Sequence, residues 1–310
     1  MNIKELAKRI NNKDLMVSGH RTCSGCPIGI ISRTVASASD NPVVVSSATS
    51  CAEVTTTIYP QTSWNMPWIH SAFANSAATI SGIEKAYLAL KKKGKITKEI
   101  NFLVIAGDGG SFDIGLSASS GALERGHDFV YLCYTNEGYQ NTGAQRSSAT
   151  PKGATTTTTP AGINSYGKIE YSKDLTQIAI AHNIPYVAQV NPYNQIDMYN
   201  KAKKAFEKKG PAVLIAYAAC PTNMKADPSQ TIAISKLATE SNFWPLYEYE
   251  DGKLTINYKP KNRIPIEEFL RTQTKFKDVL KEKNKEVLRS IQEDIDNKWK
   301  RLLRQEELSK

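Results

Sequence analysis

The run Phe102-Leu-Val-Ile-Ala-Gly107-Asp108-Gly109-Gly110 carries an apolar segment straight into glycines and an acid. Glycines at a strand-to-helix turn let backbone N–H groups approach a phosphate closely, and a following helix N-terminus favours the anion. A carboxylate at that point can hold a Mg2+ that bridges diphosphate oxygens. Gly-Asp-Gly alone is more often just a turn, but its continuation is informative. A second apolar run, Phe129–Thr135, ends in Asn136-Glu137-Gly138, with Asn136 28 residues after Asp108. In adjacent parallel strands both carboxyl ends lie on one sheet edge, where such folds bind ligands. Asp108, Asn136 and the Gly138 carbonyl could then supply oxygens to one Mg2+. An acid-bearing glycine loop followed some thirty residues later by Asn is the signature of a thiamine-diphosphate site.

The cysteines form the second constellation. Cys23-Ser-Gly-Cys26 is followed by Cys51 and, far along the chain, by Cys220-Pro221. A lone C-x-x-C serves zinc, redox chemistry or half of an iron–sulfur site. The second C-x-x-C of a zinc ribbon is missing, and His20, His70, His127 and His182 are scattered. Four thiolates from separate loops suit a [4Fe–4S] cluster, where a proline after a ligand cysteine is common. Cys133 sits mid-strand and is assigned to the core, the ordinary place for a small buried thiol.

The elements that must position these residues show in the hydrophobic pattern. Val43–Ser46, Phe102–Ala106, Phe129–Tyr134, Tyr186–Val190 and Ala212–Tyr217 read as buried strands. Between them Ala72–Leu90, Ile114–Arg125, Leu175–His182 and Ile196–Lys208 have helical period. Strands alternating with helices predict an α/β fold with a doubly wound, mostly parallel sheet and helices on both faces. Residues 139–172, rich in Gly, Ser and Thr, predict a long loop that covers a ligand. After about residue 260, Leu280, Val287, Leu288, Ile291, Ile295, Trp299, Leu302 and Leu303 recur at helical spacing among charges, an amphipathic tail expected to pack on the body or on a partner subunit. The expected division is a cofactor-binding domain over 1–260 and a helical tail over 261–310.

Composition excludes some classes. With 40% apolar and 23% charged residues in a chain of 310, a folded globular protein is expected. No run reaches the roughly 18–20 apolar residues of a membrane helix, and Met1–Asp14 lacks the features of a signal peptide. A cytoplasmic protein without membrane contact follows. The formal charge of +10 lies largely on lysine-rich helix faces such as Lys91–Lys93 and the tail after Arg271. No nucleic-acid signature accompanies it, whereas an acidic electron carrier would also be attracted.

Several longer segments occur in order: Gly19-His-Arg-Thr-Cys23-Ser-Gly-Cys26, Tyr59-Pro-Gln-Thr, Pro67-Trp-Ile-His70, Gly107-Asp-Gly-Gly-Ser-Phe-Asp-Ile-Gly115, Asn136-Glu-Gly-Tyr-Gln-Asn-Thr-Gly-Ala-Gln-Arg-Ser-Ser-Ala-Thr-Pro151 and Tyr217-Ala-Ala-Cys220-Pro221. Over roughly residues 17 to 270 the chain resembles the 2-oxoacid:ferredoxin oxidoreductases, in particular the β subunits of the multi-subunit pyruvate enzymes. The resemblance implies a thiamin-diphosphate-binding fold working at a subunit interface. Cys23, Cys26, Cys51 and Cys220 would hold a [4Fe–4S] cluster. Asp108, Asn136 and the Gly138 carbonyl would bind Mg2+, with Gly107, Gly109 and Gly110 cradling the diphosphate. Asn141, in the Asn141-Thr142-Gly143 segment that borders the cofactor, would face the thiazolium side as the catalytic asparagine. Pyruvate or another 2-oxoacid, coenzyme A, ferredoxin and the α and other subunits would be the partners.

One departure stands out. The family shows Cys-x-Gly-Cys-Gly, and here Pro27 follows Cys26, fixing φ and removing a donor where glycine permits unusual angles. The change leaves the cluster ligands intact and keeps oxalate-oxidising and branched-chain relatives open as alternatives. Two readings from other classes remain: a non-oxidative thiamine enzyme without a cluster, and an electron-transfer module without thiamine. The family places the carboxylate that activates the aminopyrimidine ring on the partner α subunit, so Glu53 and Glu137 are expected in surface or local hydrogen-bonding roles. His70 is at least as well explained as a structural histidine and is not assigned to catalysis.

Overall fold

The computed structural model describes residues 2–13 and 15–309. Among the described residues eight strands form one sheet: β1 (Val43–Ala48), β2 (Trp68–Ser71), β3 (Asn101–Gly107), β4 (Val130–Thr135), β5 (Tyr186–Val190), β6 (Ala212–Tyr217), β7 (Tyr247–Glu250) and β8 (Lys253–Ile256), in the order β2-β1-β3-β4-β6-β5-β7-β8. The first six are mutually parallel, and β7 and β8 continue the sheet antiparallel. The helices are α1 (Ile3–Lys13), α2 (Ile28–Ala38), α3 (Cys51–Thr56), α4 (Ser76–Lys92), α5 (Leu116–Glu124), α6 (Leu175–Ile180), α7 (Gln195–Glu207), α8 (Pro221–Met224), α9 (Thr231–Glu240), α10 (Ile266–Arg271) and α11 (Lys285–Leu308).

The central strands are apolar on both faces because helices cover both. Leu103 and Ile105 of β3 pack with Ile31 and Val35 of α2 and Met198 of α7. Their neighbours Phe102, Val104 and Ala106 point the other way, to Ile80 of α4, Leu123 of α5 and Cys133. Period-2 side-chain alternation within a continuous apolar run is the mark of a parallel strand buried on two sides. The five expected strands are all present, and Cys133 is a buried core residue as expected.

The pattern missed β2, β7 and β8. Edge strand β2 hides only Ser71 fully and so shows no apolar run. The β7–β8 hairpin did carry a signal. Asp251-Gly252 joins two alternating segments, and both residues have positive φ, 47° and 89°, as a tight type I′ turn requires.

The chain leaves β1 to one side for β2 and returns on the other side of β1 for β3. That reversal opens a crevice between the carboxyl ends of β1 and β3. Tail residues Phe269, Phe276, Ile291 and Ile295 join Tyr217, Ala219 and Met224 in one core beyond the end of β6. Leu302, with Trp299 and Leu303 alongside, packs on Tyr247, Leu254 and Ile256 of the hairpin. The amphipathic stripe therefore docks on the body of its own chain. Leu280 precedes α11 rather than belonging to it.

Candidate active site

The crevice is lined by Thr49, Ser50 and Cys51 after β1, by Gly107–Gly110 after β3, and by Asn136 and residues 138–142 after β4, with Phe73 and Tyr134 closing its sides. The parallel register sets Gly107 level with Tyr134, so Asp108 and Asn136 leave the sheet together. Asp108 is 1% exposed. One of its carboxylate oxygens accepts a short hydrogen bond from the Ser147 hydroxyl. The other lies 2.9 Å from the side-chain oxygen of Asn136, which also lies 2.9 Å from the Gly138 carbonyl oxygen.

Oxygens this close repel, so with nothing between them the amide is better turned over, its N–H donating to Asp108 and to Gly138 at 2.9 Å each. With its oxygen inward, Asn136 joins the Asp108 carboxylate and the Gly138 carbonyl in a set of three oxygen donors, the chemistry that Mg2+ takes, so the residues present fit a magnesium ion. The outer end of the amide lies 3.8 Å from Cys51 Sγ.

Burial pushes the Asp108 carboxyl up to about 7, against the Ser147 hydroxyl and the Asp108 and Asn136 backbone amides, which pull it down; Glu137 adds a smaller upward push. A bound cation reverses the main effect by stabilising the carboxylate.

Gly109 has to be glycine because the Tyr139 ring lies against it: a Cβ there would fall 2.2 Å from a ring carbon. The Tyr139 hydroxyl donates to Asp113 at 3.3 Å, which fixes the ring. Gly109→Ala is expected to lower the unfolding free energy by about 1–3 kcal/mol through overpacking, read as a shift in the urea midpoint with an unchanged slope. Asn141 and Thr142 stand at the exposed rim of the crevice. The Thr142 hydroxyl donates to Gln145 Oε1 at 2.5 Å, while the Asn141 backbone amide faces the Cys51 sulfur.

Cys51 lines this end of the crevice, and Cys23, Cys26 and Cys220 lie close to it, all with free thiols. Cys23 and Cys26 close a turn, the Cys26 N–H donating to the Cys23 carbonyl at 3.0 Å. Cys51 begins α3, and Cys220 caps α8, its sulfur accepting from the Asn223 N–H at 3.5 Å. Burial raises the Cys26 thiol to about 12, opposed by the Ile28 backbone amide and helped by smaller pushes from Cys220, Cys51 and Cys23. Burial and Cys220 raise Cys51 to about 11. The thiols thus share one neighbourhood. Among the described residues no three His, Cys, Asp or Glu side chains converge on a single ion-sized site; a cubane cluster holds its four thiolates farther apart than one ion does.

Pro27 is accommodated without strain. It sits at the start of α2 with φ −80° and ψ −5°, where a missing N–H and a fixed φ are tolerated. The close approach in this loop is made by Gly25, whose Cβ would strike the Pro228 carbonyl at 2.2 Å.

Glu137 is not a surface residue. It is 4% exposed and ion-paired with Lys275 of the tail, itself 3% exposed. Glu53 is also buried, accepting from Thr57 Oγ1 at 3.1 Å and facing His70 Nδ1 at 3.2 Å. His70 Nε2 is 2.9 Å from Thr49 Oγ1, so both ring nitrogens are engaged, as in a structural role. Ser147, Tyr139 and Lys275 were not singled out from the sequence. Ser147 and Tyr139 lie within the long matching segment 136–151, while Lys275 carried no local signal.

The expected ligand loop, residues 139–172, contains no helix or regular strand, yet it is tied to the site. Besides the Ser147 bond to Asp108, the Ser148 N–H donates to Asp113 at 3.0 Å and Thr150 Oγ1 to the Glu137 carbonyl at 2.8 Å.

Residues 45–216 match the family described as thiamine pyrophosphate enzyme, C-terminal TPP binding domain. Pyruvate synthase subunit PorB of Thermotoga maritima is 43% identical over 317 residues, covering 100% of this chain and 98% of that one. Its counterpart in Methanocaldococcus jannaschii is 46% identical, covering 94% and 97%. Ketoisovalerate oxidoreductase subunit VorB of Pyrococcus horikoshii is 40% identical, covering 96% of each. A solved 2-oxoglutarate:ferredoxin oxidoreductase from Magnetococcus marinus shares the fold, with a TM-score of 0.57 and 19% identity over 72% of this chain and 79% of that chain. Crevice, fold and matches define a thiamine-diphosphate-binding oxidoreductase subunit. The chain belongs to the family of pyruvate synthase β subunits and their 2-oxoacid oxidoreductase relatives. No helix among the described residues is long and apolar enough to cross a membrane.

Proposed function

We propose that this chain is the thiamine-diphosphate and [4Fe–4S] subunit of a pyruvate:ferredoxin oxidoreductase, acting in the cytoplasm with α and further subunits. The observation that carries the reading is the position of Cys51. It lines the crevice and also neighbours Cys26 and Cys220, so one residue would border both cofactors.

Asp108, Asn136 and the Gly138 carbonyl would hold Mg2+, and the Gly107–Gly110 turn would receive the diphosphate against bare backbone. Cys23, Cys26, Cys51 and Cys220 would hold the cluster, whose iron offsets the cost of ionising buried thiols. Thiamine supplies an electron sink for decarboxylation of the 2-oxoacid. The chain orients the cofactor, with Asn141 at the reacting side of the rim, and shields Asp108 from water. Holding the metal through its amide oxygen, Asn136 would turn its N–H toward the Cys51 sulfur. Coenzyme A would take the acyl group, and ferredoxin the electrons.

The branched-chain relative at 40% identity supports a second reading, a different 2-oxoacid at the same cofactors. An anaerobic assay of viologen reduction by the co-expressed complex separates them, using pyruvate, 2-oxoglutarate, 2-oxoisovalerate and oxalate with and without coenzyme A. Reduction with pyruvate that depends on coenzyme A is expected. A clear preference for 2-oxoisovalerate would move the substrate, and silence with every substrate in a complex containing iron and thiamine would sink the assignment.

A further inference from the structure

Glu137 lies between two residues whose oxygens meet at the metal site, and its backbone is left-handed, with φ +66°. For a residue with a side chain that conformation is unfavourable by roughly 1–2 kcal/mol. Its carboxylate is buried with the Lys275 ammonium, which belongs to a short turn of the tail, Thr274–Phe276. Lys275 is held in place from behind: its carbonyl accepts from both the N–H and the hydroxyl of Thr155, at 2.9 and 3.0 Å. A buried ion pair contributes little net stability, and breaking one side of it is strongly destabilising. Its presence here calls for another role.

We propose that the Lys275–Glu137 pair is a positioning element for the metal site. It clamps the Asn136–Gly138 turn in the shape that brings the Asn136 amide and the Gly138 carbonyl beside Asp108. The same turn is tied from its backbone, the Asn136 carbonyl accepting from Asn223 Nδ2 at 3.3 Å and the Glu137 carbonyl from Thr150 Oγ1 at 2.8 Å. The shape of the turn therefore depends on a tail residue 138 positions away. The proposal rests on the metal reading above.

The test uses the co-expressed complex with Lys275→Met, the charge-neutral pair Lys275→Met with Glu137→Gln, and Lys275→Arg. The double variant leaves no unpaired buried charge, so it keeps the proposal testable even if Lys275→Met alone does not fold. Two quantities are read: the thermal midpoint without cofactor, and the affinity for thiamine diphosphate with Mg2+ by fluorescence quenching. In the double variant cofactor affinity is expected to fall about tenfold or more, as for loss of an outer partner of a metal ligand, with the thermal midpoint close to wild type. Lys275→Arg should restore most of the affinity. A double variant with wild-type affinity would overturn the proposal. If the wild-type complex itself bound no thiamine diphosphate with Mg2+, the cofactor reading would fall and the proposal with it.

Discussion

Asp108→Asn is expected to make the cofactor-free protein more stable at pH 8 while removing its ability to bind thiamine diphosphate. An unfolded aspartate titrates near 3.9, whereas burial holds the folded carboxyl near 7. Between those values the folded chain keeps a proton that the unfolded chain has lost, so stability falls as pH rises through that window. Above pH 7 the full penalty applies, as much as about 4 kcal/mol at about 1.36 kcal/mol per unit. Asparagine escapes it, because its neutral amide can pair with the Ser147 hydroxyl on one side and the Asn136 amide on the other. The stabilising effect should shrink to about 1–2 kcal/mol at pH 5, where the wild-type carboxyl is already protonated. Thermal unfolding of both proteins at the two pH values measures this. Cofactor affinity in the presence of Mg2+ should fall by more than the roughly 10–100-fold typical for loss of an outer partner. A variant less stable than wild type at pH 8, or a difference independent of pH, would show that Asp108 is not held ionised against its surroundings.

The purified chain on its own is expected to bind thiamine diphosphate with Mg2+ and yet to turn over no 2-oxoacid, with activity appearing only when its partner subunits are supplied. Activation of the cofactor calls for a carboxylate against the aminopyrimidine ring. Among the residues lining the crevice the only carboxylate is Asp108, which would be taken up by the proposed metal. Glu53 is engaged by Thr57 and His70 and Glu137 by Lys275, so neither is free to serve. Positioned proton transfer contributes typically about 100- to 10,000-fold, and its loss is compounded by water reaching the exposed rim at Asn141. Assaying the isolated chain beside the reconstituted complex checks this directly. Substantial turnover by the single subunit would mean that one of these glutamates changes partners.

The sequence by itself determined the parts of this protein whose signals are local. The five buried strands show as apolar runs because a strand covered on both faces has no polar residues to hide. Asp108 and Asn136 were legible because each directly follows such a run, so the parallel sheet can only deliver them to one edge. Cys133 could be set apart from the other cysteines by its place inside a strand. Tertiary structure decided the contacts that join distant segments. Nothing near Lys275 announces that its ammonium is buried against Glu137, 138 residues away. The stripe on α11 could have faced a partner as readily as the hairpin it covers, because amphipathic period specifies an apolar face and not its occupant. The contacts of the Asn136 amide, with Asp108 and Gly138 at one end and Cys51 at the other, likewise have no trace in the local sequence. Spacing along the chain can bring residues to the same edge of a sheet, but only packing sets the few ångströms and the side-chain rotations on which a metal or a buried charge depends.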